Sequence, residues 1–307
     1  MRLATTTQLV RRHSTEVSNM AHIVNQSSHS RLSFQDAPTR TVDVGGTAFV
    51  YRELGPRTGV PVILLNHLGA QLDNFDPRIV DGLAATRRVI AFDNRGIGAS
   101  AGKTPSTISG MARDAVAFIR ALGFEEVDLF GFSLGGFVAQ EIVLTEPGLV
   151  RKLILTGTGP AGGQGIDKVT PLTIVDMIKG ALTFRDAKYY LFFTRTANGR
   201  RAANAFLERL KERKSNRDKA ISLSAFGAQL KAIKAYGLQT PQDLSTIRIP
   251  TFVANGDHDR MVPSSNTHDL ARRIPGAQLV IYPDAGHGGI FQNYGDFVPK
   301  ALSFLEG

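Results

Sequence analysis

Short apolar runs bounded by turn residues alternate along the chain with segments whose apolar residues recur every three or four positions. The runs, which predict strands buried on both faces, are residues 62–65, 88–92, 127–130, 153–157, 251–255 and 278–282. The segments with helical spacing are residues 76–85, 109–122, 137–144, 264–274 and 293–305. Strands that alternate with helices predict an α/β fold with a mostly parallel, doubly wound sheet covered by helices on both faces.

The alternation is interrupted once, after about residue 159. A glycine-rich stretch, residues 160–165, precedes helical patterns without any strand between them, at residues 170–180, 185–193, 199–214 and 222–236. We therefore predict a helical cap over residues 160–245, inserted into an α/β core of residues 41–159 and 246–307. The core is expected to begin with a hairpin, because two strand-like segments flank Gly45-Gly46.

Residues 1–40 differ in composition from the rest of the chain. They are rich in Ser and Thr, contain five Arg, and have Glu16 and Asp36 as their only acidic residues. No strong periodicity is present, which predicts a flexible basic leader. The composition is also compatible with an organellar transit peptide, and an alternative is that the protein starts at Met20.

The bulk composition is that of a soluble globular protein, with 42% hydrophobic and 21% charged residues in 307. No apolar run approaches the length of about 18 residues that a membrane-spanning helix needs, so we expect no integral membrane segment and a cytoplasmic location. The sequence has no cysteine, which excludes disulfides and thiolate metal sites. Its 7 histidines include no HExxH pair, so no metal site is expected.

The net charge of +9 is concentrated in the predicted cap, where 15 Lys or Arg residues face 7 Asp or Glu residues. Such a surface could meet nucleic acid, an anionic membrane or an acidic substrate. No nucleic-acid-binding motif accompanies the charge, and Glu208 and Glu212 are interleaved with the cations. We therefore interpret the basic stretch as a solvated helix face and expect no nucleic-acid partner.

The segment Gly131-Phe132-Ser133-Leu134-Gly135-Gly136 lies between the apolar run 127–130 and the helical segment 137–144. A G-x-S-x-G motif at a strand-to-helix turn is a nucleophile elbow, in which a strained backbone raises a serine hydroxyl above the sheet. The glycines must be small, because side chains there would collide with the strand and the helix. A glycine-rich turn without chemistry is the alternative. Ser133 is the candidate nucleophile.

A serine hydroxyl becomes a good nucleophile when a base accepts its proton and an acid orients that base. Two later loops at the carboxyl ends of strands supply such groups, Gly256-Asp257-His258-Asp259 and Asp284-Ala285-Gly286-His287. We predict Asp259 as the acid, because it lies further from the strand end and can turn towards the next loop. Asp257 is expected to cap the turn through local backbone hydrogen bonds. His287 is then the predicted base, in the order that follows an elbow serine.

Two backbone N–H groups are needed to stabilise the oxyanion that forms when the serine attacks a carbonyl. The amide of Leu134 opens the helix after the elbow and is one candidate. The loop Asn66-His67-Leu68-Gly69, which follows the first buried strand, supplies the other, and Leu68 is the predicted donor. An ordinary loop without this role is the alternative.

These motifs together resemble the α/β-hydrolase fold superfamily over about residues 41–306. The resemblance rests on the elbow GFSLGG and on the segments FDNRGIGAS, GDHDRMVP and DAGHG. The branch that the chain resembles most contains cofactor-free haloperoxidase-like (perhydrolase) esterases and 3-oxoadipate enol-lactonase-like hydrolases. The resemblance implies Ser133, Asp259 and His287 as nucleophile, acid and base, with Leu68 and Leu134 as oxyanion donors and no cofactor. One departure is His67, which stands where many relatives have glycine.

The sequence therefore predicts hydrolysis of a small or medium carboxylic ester or lactone through an acyl-serine intermediate, without a cofactor or metal. One alternative is perhydrolysis, or cleavage of a carbon–carbon bond in a diketone-like substrate. Another alternative is a ligand-binding protein of the same fold whose catalytic residues are idle. The serine in the elbow argues against haloalkane dehalogenases and epoxide hydrolases, which carry aspartate there.

Overall fold

A single eight-stranded sheet organises the computed structural model, which describes residues 32–307. Its strands are β1 (Arg40–Val44), β2 (Thr47–Leu54), β3 (Val62–Leu65), β4 (Val89–Phe92), β5 (Val127–Phe132), β6 (Val150–Thr156), β7 (Thr251–Gly256) and β8 (Gln278–Tyr282). Their order across the sheet is β1-β2-β4-β3-β5-β6-β7-β8. β1 pairs antiparallel with β2, β2 pairs antiparallel with β4, and all other pairs are parallel. The predicted α/β class and its mostly parallel sheet are confirmed.

The central strands are buried along their whole length. Every residue of β3, β4, β5 and β7 is buried, as expected of parallel strands with helices on both faces. β8, at the edge, has exposed or half-exposed residues at four of its five positions. The core therefore lies around the middle of the sheet, which is also where β5 leads into the elbow.

Helices of the core flank this sheet. They are α1 (Pro77–Ala84), α2 (Ile108–Ala121), α3 (Leu134–Thr145), α8 (Ser265–Arg273), α9 (Gly289–Gln292) and α10 (Tyr294–Glu306). Side chains at their first turns satisfy backbone donors that have no partner inside the helix. Asp76 accepts from the amide of Arg78 at the start of α1, and Thr107 accepts from the amide of Gly110 at the start of α2.

The segment between β6 and β7 contains four more helices and no strand. These are α4 (Val169–Leu182), α5 (Lys188–Leu191), α6 (Ala197–Arg209) and α7 (Leu223–Gly237). Helices α5 and α6 are shorter than the patterns at residues 185–193 and 199–214 predict. None of the helices in residues 32–307 combines the length and the hydropathy that crossing a bilayer requires.

The two ends of this inserted segment are joined at its base. The amide of Gly162 donates to the carbonyl of Tyr236 at 3.0 Å. Gly162 has φ +68°, and a Cβ there would lie 2.3 Å from the carbonyl oxygen of Gln239. No other residue type fits this position without moving the backbone, so the glycine permits the close approach.

Buried polar contacts fasten the inserted segment to the core. Arg209 on α6 donates to both carboxylate oxygens of Asp76, at distances between 2.6 and 3.2 Å. A second contact brings together two acidic residues, Asp93 after β4 and Asp218 before α7. Both carboxylates lie against Gly98: a Cβ atom added to this glycine would be 2.2 Å from Asp93 Oδ2 and 2.4 Å from Asp218 Oδ2. Burial, followed by the neighbouring carboxylate of Asp218, raises the pKa of Asp93 well above its usual range. The folded state therefore favours the protonated form of Asp93.

The predicted leader lies largely outside the described residues. Its last part is described, and residues 33–37 pack on the core. Phe34 is buried and contacts Phe75 edge-to-face with ring centroids 6.2 Å apart. Arg213 donates to the carbonyl oxygens of Gln35 and Ala37 at 2.7 and 3.0 Å. Their composition predicts that these residues belong to the leader, whereas the structure places them against both the core and the inserted segment.

Candidate active site

The turn from β5 to α3 holds Ser133 in a strained conformation. Its φ and ψ are 57° and −117°, which L residues rarely adopt. Cβ atoms at Gly131 and Gly135 would lie 2.6 Å from the carbonyl of Gly135 and 2.0 Å from the carbonyl of Leu65, respectively. Both glycines are therefore required for the turn to pack against β3 and α3, as the motif predicts. The backbone of Ser133 is held by its amide, which donates to the carbonyl of Thr156 at 2.9 Å.

The three residues predicted from the loops and the elbow meet in one buried hydrogen-bonded chain. Ser133 Oγ lies 2.9 Å from His287 Nε2, and His287 Nδ1 lies 2.7 Å from Asp259 Oδ2. All three side chains are buried. Because Nδ1 can only donate its proton to the carboxylate, Nε2 carries a lone pair that faces the serine hydroxyl. This arrangement matches a nucleophile, a base and an orienting acid.

Hydrogen bonds hold the carboxylate of Asp259 in place. Its Oδ1 accepts from the amides of Met261 and Val262 at 2.8 and 3.0 Å, and its Oδ2 accepts from Asn255 Nδ2 at 3.0 Å. These donors fix the orientation of the carboxylate towards His287. Asn255, the last polar side chain of β7, was not predicted as part of the site. Its signal in the sequence is a polar residue at the end of an otherwise apolar strand.

Asp257 occupies a different position, at the surface. Its Oδ1 lies 2.5 Å from His258 Nδ1 and accepts from the amide of Ala285 at 3.2 Å. Partial burial raises the pKa of Asp257, but hydrogen bonds from His258 and Ala285 outweigh that effect and lower it. The same contact with Asp257 raises the pKa of His258. Asp257 thus links the two loops, and none of its hydrogen bonds within residues 32–307 goes to His287.

The loop after β3 contains one amide that stands out. The amide of His67 donates to Asn66 Oδ1, that of Gly69 donates to Gln229 Oε1, and that of Ala70 donates to the carbonyl of His67. Leu68 is the one residue of 67–70 whose N–H has no hydrogen-bond acceptor among residues 32–307. Leu134, the first residue of α3, likewise has a first-turn amide without an intrahelical acceptor. Leu68 lines the same cavity as Ser133, and Leu134 follows Ser133 directly in the chain.

His67 occupies the position at which many members of the superfamily that this chain resembles have glycine. Its ring packs edge-to-face against Phe132 and Phe192, and its Nδ1 donates to the carbonyl of Leu68 at 2.8 Å. Burial, followed by the charge of Lys188, lowers the pKa of His67 to about 3. The imidazole is therefore neutral at physiological pH. It adds bulk beside the loop of Leu68 without adding charge.

A cavity of ≈ 320 Å³ reaches Ser133 and His287. Core residues on its wall include Leu68 and Met261, but most of the wall comes from the inserted segment. The side chains of that segment are largely apolar, with one ion pair, Lys188 and Asp186, at 3.1 Å. A larger cavity, ≈ 540 Å³, is lined by His258, Asp259 and Arg260 but not by Ser133. A substrate must reach the serine hydroxyl, so the smaller cavity is the candidate substrate site.

The comparison with known families agrees with the fold. The sequence model of the alpha/beta hydrolase fold family matches residues 60–294. The chain belongs to the α/β-hydrolase family. A solved structure described as an alpha/beta hydrolase fold protein from Chitinophaga pinensis is 38% identical, with a TM-score of 0.84, and the match covers 90% of this chain and 99% of that one.

Two further relatives represent the branches that the sequence resembles. The non-heme chloroperoxidase of Streptomyces lividans is 28% identical over 276 residues, covering 85% of this chain and 97% of its own. The crystal structure of the enol-lactonase from Burkholderia xenovorans LB400 is 23% identical with a TM-score of 0.72, covering 87% of this chain and all of that one. The protein is an α/β-hydrolase-type enzyme.

Phe192 is a further site residue of this hydrolase that sequence reasoning missed. Its carbonyl accepts from the amide of Gly288 at 2.7 Å, and its ring lies 5.3 Å from that of His287. A side chain of the inserted segment therefore packs directly on the histidine that faces Ser133. No local pattern distinguishes Phe192 from its neighbours, because its partner is 95 residues away in the chain.

Proposed function

We propose that this α/β-hydrolase cleaves a small or medium carboxylic ester or lactone through an acyl-serine intermediate. The observation that carries the proposal is the buried chain from Ser133 Oγ to His287 Nε2 and from His287 Nδ1 to Asp259 Oδ2, at 2.9 and 2.7 Å. Both distances are those of direct hydrogen bonds, so a proton can leave the hydroxyl as it attacks.

In the first half-reaction the oxygen of Ser133 attacks the carbonyl carbon of the ester. His287 Nε2 accepts the hydroxyl proton, and the carboxylate of Asp259 stabilises the imidazolium. The tetrahedral oxyanion accepts hydrogen bonds from the amides of Leu68 and Leu134. Collapse of this intermediate expels the alcohol oxygen, which takes the proton from His287, and leaves an acyl group on Ser133.

In the second half-reaction water attacks the acyl-serine. His287 accepts a proton from the water, the same two amides hold the second oxyanion, and collapse returns the proton to Ser133 as the acid product leaves. In a lactone the alcohol and the acid remain joined in one product. Every proton in this cycle passes through His287 Nε2, so the reaction needs no cofactor.

The substrate range follows from the cavity. A volume of ≈ 320 Å³ lies at the lower end of the usual range for small-molecule sites, which suits a small or medium acyl group. Its largely apolar wall is matched by an aliphatic or aromatic acyl chain. Because most of that wall belongs to the helices of residues 160–245, we propose that these residues act as a cap that decides which acyl group is accepted.

Labelling with a fluorophosphonate probe tests the nucleophile. The protein is expected to be labelled once, and Ser133→Ala is expected to remove the label and lower kcat by at least about 10⁴-fold. Thr158→Val is a matched control, because Thr158 Oγ1 donates to the backbone carbonyl of Ser133 and its removal leaves the hydroxyl of Ser133 in place. An unlabelled wild-type protein would contradict the proposal and support a ligand-binding protein with idle catalytic residues.

A second acyl acceptor is supported by the similarity to the chloroperoxidase of Streptomyces lividans. Hydrogen peroxide can replace water in the second half-reaction and give a peracid. A panel of esters of increasing acyl length, assayed with and without peroxide, separates the two outcomes. Faster peracid formation than hydrolysis would assign perhydrolysis, and turnover of a diketone but of no ester would assign carbon–carbon cleavage.

A further inference from the structure

Helix α4 is oriented with its polar residues inward. Its buried residues include Thr173, Asp176 and Gly180, whereas Ile174 and Ile178 are exposed. Asp176 is fixed in this orientation by Arg260, which donates to it at 3.3 Å from the loop of Asp259. This is the reverse of a usual surface helix, whose apolar residues face the core.

The exposed apolar residues continue beyond α4. Phe184, just after the helix, is 98% exposed and has φ 53°, a left-handed conformation in which a bulky residue is strained. Leu182 is 76% exposed, and Leu223, at the first position of α7, is 89% exposed. We call these residues the cap patch: Ile174, Val175, Ile178, Leu182, Phe184 and Leu223. A monomeric soluble protein rarely exposes such a group of large apolar residues unless something covers it.

The cap patch adjoins the entrance to the cavity of Ser133. Leu223 lines that cavity, and so does Met177, which lies between Val175 and Ile178 on α4 and is itself exposed. An apolar surface that covers the patch therefore also meets the entrance of the cavity.

The charges around the cap patch are mostly positive. Lys168 and Arg185 are exposed near the two ends of α4, and Lys179 lies on it. Of the acidic groups in this region, Asp176 is buried against Arg260 and Asp186 is paired with Lys188, while Asp167 lies next to Lys168 in the chain. Two copies that met through this surface by two-fold symmetry would bring two basic caps together, which is electrostatically unfavourable. The charge is complementary to an anionic surface.

We propose that the cap patch docks on an anionic lipid surface and that the substrate is a lipophilic ester taken from that surface. Apolar side chains that enter the interface, flanked by Lys and Arg that contact anionic headgroups, are the two components of peripheral membrane binding. The entrance of the cavity then faces the lipid, and an acyl chain can pass into the apolar cavity without crossing water. The part concerning the substrate rests on the proposed hydrolysis; the part concerning docking does not.

Co-sedimentation with vesicles tests the docking. The full chain is expected to bind vesicles of equal parts phosphatidylcholine and phosphatidylglycerol, to bind phosphatidylcholine alone more weakly, and to be released by salt. Phe184→Asn and Ile178→Gln are each expected to lower the partition coefficient about 10-fold. Asn tolerates the left-handed conformation at residue 184, so this variant should fold. Leu279→Gln, at an exposed residue of β8 on the sheet edge, is the matched control and should bind as the wild type does.

Three results would overturn the docking proposal. One is that both cap-patch variants bind the mixed vesicles as strongly as the wild type does. Another is that the wild type binds the mixed vesicles and the phosphatidylcholine vesicles equally strongly. The third is a dimer in light scattering that Phe184→Asn dissociates, which would assign the patch to a second copy of the chain.

Two assays of hydrolysis separate the parts of the proposal. Phe184→Asn is expected to hydrolyse a water-soluble short-chain ester at the wild-type rate and an ester embedded in the mixed vesicles about 10-fold more slowly. Equal rates on the embedded ester would overturn the lipophilic-substrate part. Vesicle binding without turnover of either ester would leave docking intact and contradict the proposed function.

Discussion

Helices α3 and α4 are of similar length and both are rich in apolar residues, yet α3 is mostly buried and α4 is mostly exposed. Of the 12 residues of α3, nine are buried, because β3, β5, β6 and α2 surround it. Of the 14 residues of α4, four are buried, and two of those are polar. The comparison shows that apolar composition alone does not place a helix. Whether a helix is buried depends on the elements that pack against it, and within residues 32–307 nothing covers the outer face of α4.

The α/β core, which contains α3, and the inserted segment, which contains α4, therefore contribute differently to stability and to function. In the core, buried contacts determine stability and hold Ser133, Asp259 and His287 at hydrogen-bonding distance. In the inserted segment, buried polar groups such as Arg209 and buried aromatic residues such as Tyr236 contact the core, whereas most of the large apolar residues of α4 face outward. The following predictions test this separation, beginning with the largest expected effect.

Catalysis should depend on a carboxylate of the core and hardly at all on a carboxylate of the cap. Asp259→Asn is expected to lower kcat for ester hydrolysis by roughly 10³–10⁴, because the amide favours the wrong tautomer of His287. Asp257→Asn should cost about 10-fold through the geometry of the loop, and Asp176→Asn in the cap no more than that. Turnover is measured at equal concentrations of folded protein. A dead Asp257→Asn beside an active Asp259→Asn would exchange the two roles.

Truncation of a buried aromatic on α3 should destabilise the protein far more than truncation on α4. Phe137 stacks on Tyr236 with ring centroids 4.6 Å apart, and its removal by Phe137→Ala is expected to cost about 3–5 kcal/mol. Ile178→Ala removes an exposed side chain and should change the free energy of unfolding by less than about 0.5 kcal/mol. Urea denaturation measures both. A loss from Ile178→Ala as large as that from Phe137→Ala would mean that the outer face of α4 is buried in solution.

The contact of Asp93 with Asp218, between core and cap, should make stability depend on pH. A raised pKa means that the folded protein binds this proton more tightly than the unfolded chain does. The stabilisation is therefore complete below the unfolded-state pKa of about 3.9 and is lost as the pH rises through the folded-state value. Asp93→Asn keeps a hydrogen-bond donor at this contact and should raise the melting temperature at alkaline pH by roughly 2–4 °C relative to the wild type. Parallel melting curves across pH check this, and equal pH dependence in both proteins would refute it.

The smallest expected effect concerns the strained residue at the end of α4. Phe184→Gly should stabilise the protein by about 0.5–1 kcal/mol, because glycine adopts φ 53° without strain. Phe184→Ala removes the ring but keeps the strain, so it should not stabilise. Thermal denaturation of the two variants separates relief of strain from loss of the aromatic ring. A destabilised Phe184→Gly would show that the ring makes contacts in the folded protein.

Much of the core could be predicted from sequence because its signals are local. A run such as Val62-Ile63-Leu64-Leu65 is apolar at every position, which a buried parallel strand requires. The elbow glycines mark a turn that other residues would obstruct, and the loops after β7 and β8 follow from the strand pattern. The predicted helix at residues 109–122 is confirmed, with bounds one residue earlier at each end.

The remaining features depend on contacts between distant segments. Residues 33–37 carry a leader-like composition, yet Phe34 is held by Phe75, and this pairing leaves no periodic pattern. The inversion of α4 follows from the ion pair of Asp176 with Arg260, whose partners are 84 residues apart. Periodicity can show that a helix has two faces, but it cannot show that the apolar face points outward. Sequence patterns also did not indicate Asn255 and Phe192 as site residues, because their roles come from their proximity to Asp259 and His287 in the folded protein.

The backbone hydrogen bond between Gly162 and Tyr236 has a consequence for how such enzymes diversify. Because the inserted segment leaves and re-enters the core at neighbouring points, a different segment of another length can occupy the same place without stretching the sheet. Recombination at these two points would transfer a complete lid together with its substrate preference. The elbow and the two catalytic loops would be inherited unchanged. One recombination event would then change the substrate specificity of the enzyme and leave its catalytic residues in place.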